Sequence, residues 1–220
     1  GTTPVDWIEG WAAAEFDRPC LVLEEGIISY GQLASDVHSR AHTLRDEAGP
    51  GEVVPVVATM DLPSIVDILA HMAVGAVPLP YDHSRVERPD ESAPGAVVCL
   101  TTSGSAGNRR LVPLTMANLT ASVVASRDRL GTGPDDRWLA SLPLTHIGGL
   151  SVLLRSFEAG GAAVVGRFGS STGSLIRLTS PTIASLVPTM VHRLLASDPE
   201  ALASVGTVLV GGAALSDDMV

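Results

Sequence analysis

The chain has 220 residues, 45% of them apolar, and a formal net charge of −10. That is enough for one or two domains with a sizeable core, and it lies outside the composition of disordered chains. An acidic average argues against a general nucleic-acid binder, which needs a basic face. It leaves room for a local anion site made of backbone N–H groups and a few arginines. All fourteen basic residues are arginine, so no lysine of this chain can bind phosphate or act in catalysis. No apolar run reaches the ~20 residues that span a bilayer, and the first ten residues do not have the pattern of a cleavable leader. The expectation is a soluble cytoplasmic protein with no nucleic-acid or membrane partner; a homodimer is compatible with it. Cys20 and Cys99 lie in apolar strand-like runs without metal spacing and read as buried free thiols.

Short β-rich runs alternate with helical patterns. After an N-terminal helical segment, residues 21–23 and 27–29 flank Glu24-Glu25-Gly26 as a hairpin. Ser29 is placed to cap a helix with Leu33, Val37, Ala41 and Leu44 at helical spacing, ended by Gly49-Pro50-Gly51. Strands are predicted over 53–59, 76–79, 96–100, 111–114, 138–144, 162–165, 182–187 and 207–210, and helices over 63–74, 118–130, 150–157 and 189–196. Near-continuous Val/Ile/Leu strands between helices predict an α/β fold with largely parallel sheets covered on both faces. The polar, proline-containing stretch 82–94 reads as a linker between subdomains.

The segment that invites a chemical reading follows Leu100. Thr101-Thr102-Ser103-Gly104-Ser105-Ala106-Gly107-Asn108-Arg109-Arg110 puts small residues where backbone must approach a partner closely. Its two glycines let successive N–H groups converge on one anion, four hydroxyls add donors, and two arginines add fixed charge. A triphosphate suits such a loop; on composition alone a plain surface loop accounts for it equally. It is neither GxxxxGK[ST] nor GxGxxG. The segment resembles the phosphate-loop motif T-[SG]-G-[ST]-[TS]-G-x-P-K of the adenylate-forming superfamily, the acyl-CoA synthetases, luciferases and adenylation domains. Thr102, Ser103, Gly104, Ser105 and Gly107 match it, Ala106 replaces a hydroxyl residue, and Arg109 and Arg110 stand for proline and lysine. Thr115-Met116-Ala117-Asn118-Leu119 is similar to the T-H-x-N-L that follows in that family.

Three further stretches extend the resemblance from about residue 19 to residue 215. Ser141-Leu142-Pro143-Leu144-Thr145-His146-Ile147-Gly148-Gly149-Leu150 is similar to L-P-L-F-H-x-x-G, whose histidine borders the acyl pocket; a hydrogen-bonded structural histidine is the plainer account. Its continuation through Arg155 is similar to the o-succinylbenzoate–CoA ligase branch. Arg155 could pair with a substrate carboxylate, or be an exposed helical arginine. Val210-Gly211-Gly212-Ala213 resembles the adenine-contacting turn. His38 and His42 form the one i, i+4 histidine pair, and read as a solvated helix face.

The resemblance implies an ATP-dependent acid–CoA ligase. A carboxylate attacks the ATP α-phosphorus to give acyl-adenylate, and coenzyme A then takes the acyl group. It implies that residues 102–107 and Arg110 hold the phosphates with Mg2+, that Gly211, Gly212 and Ala213 flank adenine, and that His146, Gly148, Gly149 and Arg155 line the acid pocket, with His146 nearest the chemistry. No residue of this chain is implied as a metal ligand. The family's later motifs and its lysine-bearing C-terminal domain do not appear in residues 1–220. The expectation is therefore an incomplete N-terminal domain of a longer ligase, inactive by itself. An adenylation domain that loads a carrier protein, and a non-catalytic nucleotide- or acyl-binding module, are the alternatives.

Overall fold

The computed structural model describes residues 2–82, 93–102 and 110–213. In chain order the elements are α1 (Pro4–Ala14), β1 (Pro19–Leu23), β2 (Gly26–Ser29), α2 (Tyr30–Leu44), β3 (Val53–Val57), α3 (Leu62–Ala73), β4 (Val77–Tyr81), β5 (Ala96–Thr102), β6 (Arg110–Thr115), α4 (Met116–Leu130), β7 (Arg137–Ala140), α5 (Ile147–Ala159), β8 (Ala162–Val165), α6 (Thr172–Thr179), β9 (Ile183–Leu186), α7 (Pro188–Ser197), α8 (Pro199–Ala203) and β10 (Thr207–Val210). The first four long helices begin on a side-chain oxygen that accepts an otherwise unpaired N–H: Thr3, Ser29, Asp61 and Thr115. The Ser29 cap is the one anticipated, and Gln32 answers it by bonding back to the Ser29 N–H.

Six strands form the main sheet in the order β10-β9-β7-β8-β1-β2, parallel except for the β1–β2 hairpin. β3 and β4 form a parallel pair, and β5 and β6 an antiparallel one. The α/β class and the largely parallel pairing are as expected. Alternate residues of the main sheet feed two cores, because successive side chains of a strand point to opposite faces. Leu21, Trp138, Ala140, Ala163, Val165 and Ile183 pack with α1, α2 and α5. Val22, Leu139, Val164, Ala184 and Leu186 pack with α6, α7 and α8. Both faces are covered, which is why these strands read as continuous apolar runs.

Most strand boundaries shift by one or two residues, β5 running to Thr102 among them, and β7 shifts by four at its end. β3 stops at Val57, and β4 runs two residues longer, to Tyr81. Pro55, Pro78 and Pro80 are tolerated there because each strand of a pair has an edge where no N–H is required. β7 ends at Ala140 and not at 144, as Pro143 cannot donate to a ladder and the chain turns away after Ser141. Two short helices were not anticipated, α6 with eight residues and α8 with five; α6 buries Thr172, Gly173, Ile176 and Thr179 at helical spacing, but only Ile176 of these is a large apolar residue. Apart from its ends, the expected linker 82–94 lies outside the described residues.

Both cysteines are buried free thiols. Burial pushes the Cys20 thiol pKa far up, with a hydrogen bond from Tyr30 opposing it, and burial raises that of Cys99 as well. His38 and His42 are exposed on α2, and no group of three metal-ligating side chains occurs among the described residues. No described helix is long and apolar enough to cross a membrane.

Candidate functional site

The winding of the main sheet reverses at β7. From β7 the chain crosses through α5 to β8 on one side, then returns through α6 to β9 on the other and continues to β10. The two connections leave in opposite directions, so a crevice opens at the carboxyl ends of β7 and β9. A largely apolar cavity of about 700 Å3 occupies this place. One wall is the loop after β7, with Leu142, Pro143 and His146; a second is the junction of β9 and α7, with Ser185, Leu186, Val187 and Met190; a third is the end of β10, from Leu209 to Gly212. Along α5, Gly148, Ser151 and Arg155 line it at i, i+3 and i+7, one stripe of a helix. At a rise of 1.5 Å per residue the stripe is roughly 10 Å long. Gly148 and Ser151 are small, which leaves a passage along the helix to Arg155.

Arg155 is half-buried and not an exposed helical arginine. Its Cζ lies 5.1 Å from the centre of the Trp138 ring, and its Nε is buried with no hydrogen-bond partner among the described residues. Burial pulls its pKa down from the ordinary value, yet a guanidinium remains cationic at neutral pH. A cation without an anionic partner at one end of an apolar cavity is costly unless a ligand supplies the partner.

His146 sits at the other end of the stripe as the N-cap of α5, exposed and without a side-chain capping bond. Its backbone carbonyl accepts from the N–H groups of Gly149 and Leu150, at 3.1 and 3.2 Å, so the backbone fixes the position of the residue without using its imidazole. Gly149 has a packing reason. A Cβ there would lie 2.2 Å from the Pro143 carbonyl oxygen, so the helix start can approach the preceding loop only with glycine. At the β10 end the Gly211 N–H donates to the Leu186 carbonyl oxygen at 3.1 Å, tying two walls together. Gly212 has φ +83°, a left-handed conformation open to glycine.

Residues 81–220 match the model of the AMP-binding enzyme family. The chain belongs to that family. The 2-succinylbenzoate–CoA ligase of Staphylococcus aureus (strain JH9) is 36% identical to it over 121 residues, which cover 54% of this chain and 25% of that protein. Two structures of the o-succinylbenzoate CoA synthetase of Bacillus subtilis share its fold. One, bound with a product analogue, has a TM-score of 0.85 at 21% identity, covering 97% of this chain and 55% of that one. The other, in complex with an acyl-adenylate intermediate, has a TM-score of 0.85 at 22% identity, covering 95% and 68%. The chain therefore matches about a quarter of the length of the curated relatives and 55% of the first of these structures.

For an AMP-binding enzyme the remaining site residues fall in two places. His146, Gly148, Gly149, Arg155, Gly211 and Gly212 line one cavity. Ala213 follows, exposed, and is not part of the lining. Thr102 and Arg110 face each other as Cα partners at the end of the β5–β6 pair, both exposed. Ser103, Gly104, Ser105, Ala106 and Gly107, the rest of the glycine segment, lie outside the described residues.

Sequence reasoning missed the wall at Ser185–Met190 and the aromatic surface under Arg155. Ser185, Leu186 and Val187 carry no motif; their one signal is the position at the carboxyl end of a buried parallel strand. Trp138 reads as an ordinary core residue until its neighbour is known.

Proposed function

We propose that this chain is the acid- and nucleotide-binding part of an ATP-dependent acid–CoA ligase, with o-succinylbenzoate the favoured acid. The carboxylate oxygen attacks the ATP α-phosphorus and pyrophosphate leaves; the coenzyme A thiol then attacks the acyl carbon and AMP leaves. The observation that supports this most directly is Arg155, cationic and without an anionic partner among the described residues, at one end of an apolar cavity. An aromatic acid with a second carboxylate suits that combination, its ring against the apolar walls and its far carboxylate on the guanidinium. His146, at the mouth, borders the reacting carboxylate, and the Gly211–Gly212 turn lies against the nucleotide. Thr102 and Arg110 flank the phosphate loop, where arginine supplies charge in the place of the family's lysine. Mg2+, when bound with ATP, spreads the charge of the departing phosphates. It takes few protein ligands beside phosphate oxygens, which is compatible with the lack of a cluster of metal-binding side chains among the described residues. Such a ligase acts on small molecules in the cytoplasm.

Calorimetric titration of the chain tests the acid site. Arg155→Ala should weaken o-succinylbenzoate binding about 10- to 100-fold, the range of a hydrogen-bonded charge pair. It should affect an analogue lacking the ring carboxylate much less; equal losses would place Arg155 outside the site. In the whole protein, ATP–pyrophosphate exchange should depend on o-succinylbenzoate, and exchange driven by an amino acid would favour an adenylation domain instead.

A further inference from the structure

Resting on the reading of Arg155 as the carboxylate-binding residue, the geometry points to Trp138 as a positioning residue. Its indole face holds the Arg155 guanidinium and its N–H sets the Ser185 hydroxyl, so that both groups turn their donors toward a ligand carboxylate. The platform is rigid. Trp138 is 2% exposed, and its strand is paired on both sides, with Ala163 of β8 and Ile183 of β9 as its Cα partners. The Arg155 Cζ stands 5.1 Å from the ring centre, within cation–π range. No carboxylate among the described residues pairs with Arg155, Glu158 being taken by Arg127, and the Trp138 ring is the electron-rich surface that faces its charge.

The other edge of the indole matters equally. Trp138 Nε1 donates to Ser185 Oγ at 2.9 Å, across to the neighbouring strand. An indole N–H can only donate, so it occupies a lone pair of the serine oxygen and leaves the hydroxyl hydrogen free. Ser185 itself lines the cavity. One buried ring therefore prepares two donors from two elements, a guanidinium on α5 and a hydroxyl on β9. A guanidinium, which can only donate, beside a hydroxyl whose hydrogen is free suits a group that only accepts, which an ionised carboxylate is and a carboxamide is not. Holding a long, flexible arginine in place before binding also removes part of the ordering cost that binding would otherwise meet.

The test compares two acids on four forms of the chain by calorimetry. The acids are o-succinylbenzoate and the analogue lacking its ring carboxylate; the forms are wild type, Trp138→Leu, Trp138→Phe and Arg155→Gln. The quantity read is the ratio of the two affinities. Trp138→Leu should lower that ratio about 3- to 30-fold, the range of a cation–π contact, whereas Trp138→Phe, which keeps an aromatic face, should retain most of it. A Trp138→Leu protein that loses both affinities by one factor, with the ratio unchanged, would overturn the inference. Wild type without any preference would remove the reading of Arg155 beneath it. Collapse of the ratio in Arg155→Gln alone would keep that reading and refute the role of Trp138. A measurement on unaltered protein guards against a misfolded variant. The Nε–H resonance of Arg155, assigned by its loss in Arg155→Gln, should be shifted upfield by the indole ring current; a resonance at the position of a free arginine would refute the stacking.

Discussion

The two candidate binding regions of this chain are built in opposite ways. The candidate phosphate segment is one continuous stretch of sequence, and the described residues on either side of it, Thr102 and Arg110, are partners in an antiparallel pair. The acid cavity is assembled from residues 142–155, 185–190 and 209–212, brought together by the reversal of winding at β7. In the first, the candidate chemistry is local: the glycines and hydroxyls that would place donors around an anion are neighbours in the sequence. In the second, chemistry depends on packing, since a guanidinium, an indole and a serine become a unit only when β7, α5 and β9 are in register. The surroundings differ accordingly. The residues of β6 are exposed or half-buried, whereas those of β8 and β9 are all buried.

The contrast can be broken by substitution. The largest effect should come from Gly149→Ala, because the added Cβ would meet backbone oxygens of Pro143 and Leu142 at 2.2 and 2.5 Å, and backbone cannot step aside. A loss of about 2–3 kcal/mol in denaturant unfolding is expected, with Tm lower by roughly 5–10 °C. Acid binding should fall with it while nucleotide binding changes less. Arg110→Ala should do the reverse. The exposed side chain should contribute within about 0.5 kcal/mol to stability, while ATP or pyrophosphate binding weakens about tenfold through loss of a charge-assisted contact. If Arg110→Ala weakened the acid as strongly as the nucleotide, the two regions would not be separable.

The smallest effect should come from a change that touches neither region. Asp61 caps α3 by accepting from the Ser64 N–H at 2.9 Å. Burial pushes its carboxyl pKa upward, but hydrogen bonds from Thr59 and Ser64 and the Arg167 charge outweigh that and hold it below the ordinary value. Asp61→Ala should cost about 1 kcal/mol, without altering either binding reaction. The sign with pH follows from the lowered pKa. The contribution is complete above the unfolded carboxylate pKa of about 4 and disappears as pH falls through the native value. The stability gap between Asp61→Ala and wild type should therefore close on acidification; a gap that widens would mean that the Asp61 pKa is raised.

Much of the molecule was legible before its structure. The β1–β2 hairpin, the Ser29-capped helix, the α/β class and nearly every buried strand follow from local pattern, because hydrophobic period and helix caps act over a few residues. So does the candidacy of the glycine segment, whose donors are adjacent in the chain. Tertiary structure decided what depends on distant partners. It ended β7 at Ala140, so that the loop with Leu142 and Pro143 turns out to wall a cavity. It converted Arg155 from one of two equal readings into a half-buried cation over an aromatic ring. It also gave Ser185 and Trp138 a place in the site that no motif signals. The physical reason is common to all of them. A residue's local preferences are written in its neighbours along the chain, whereas its exposure, charge partner and hydrogen-bond acceptor depend on what the fold packs against it.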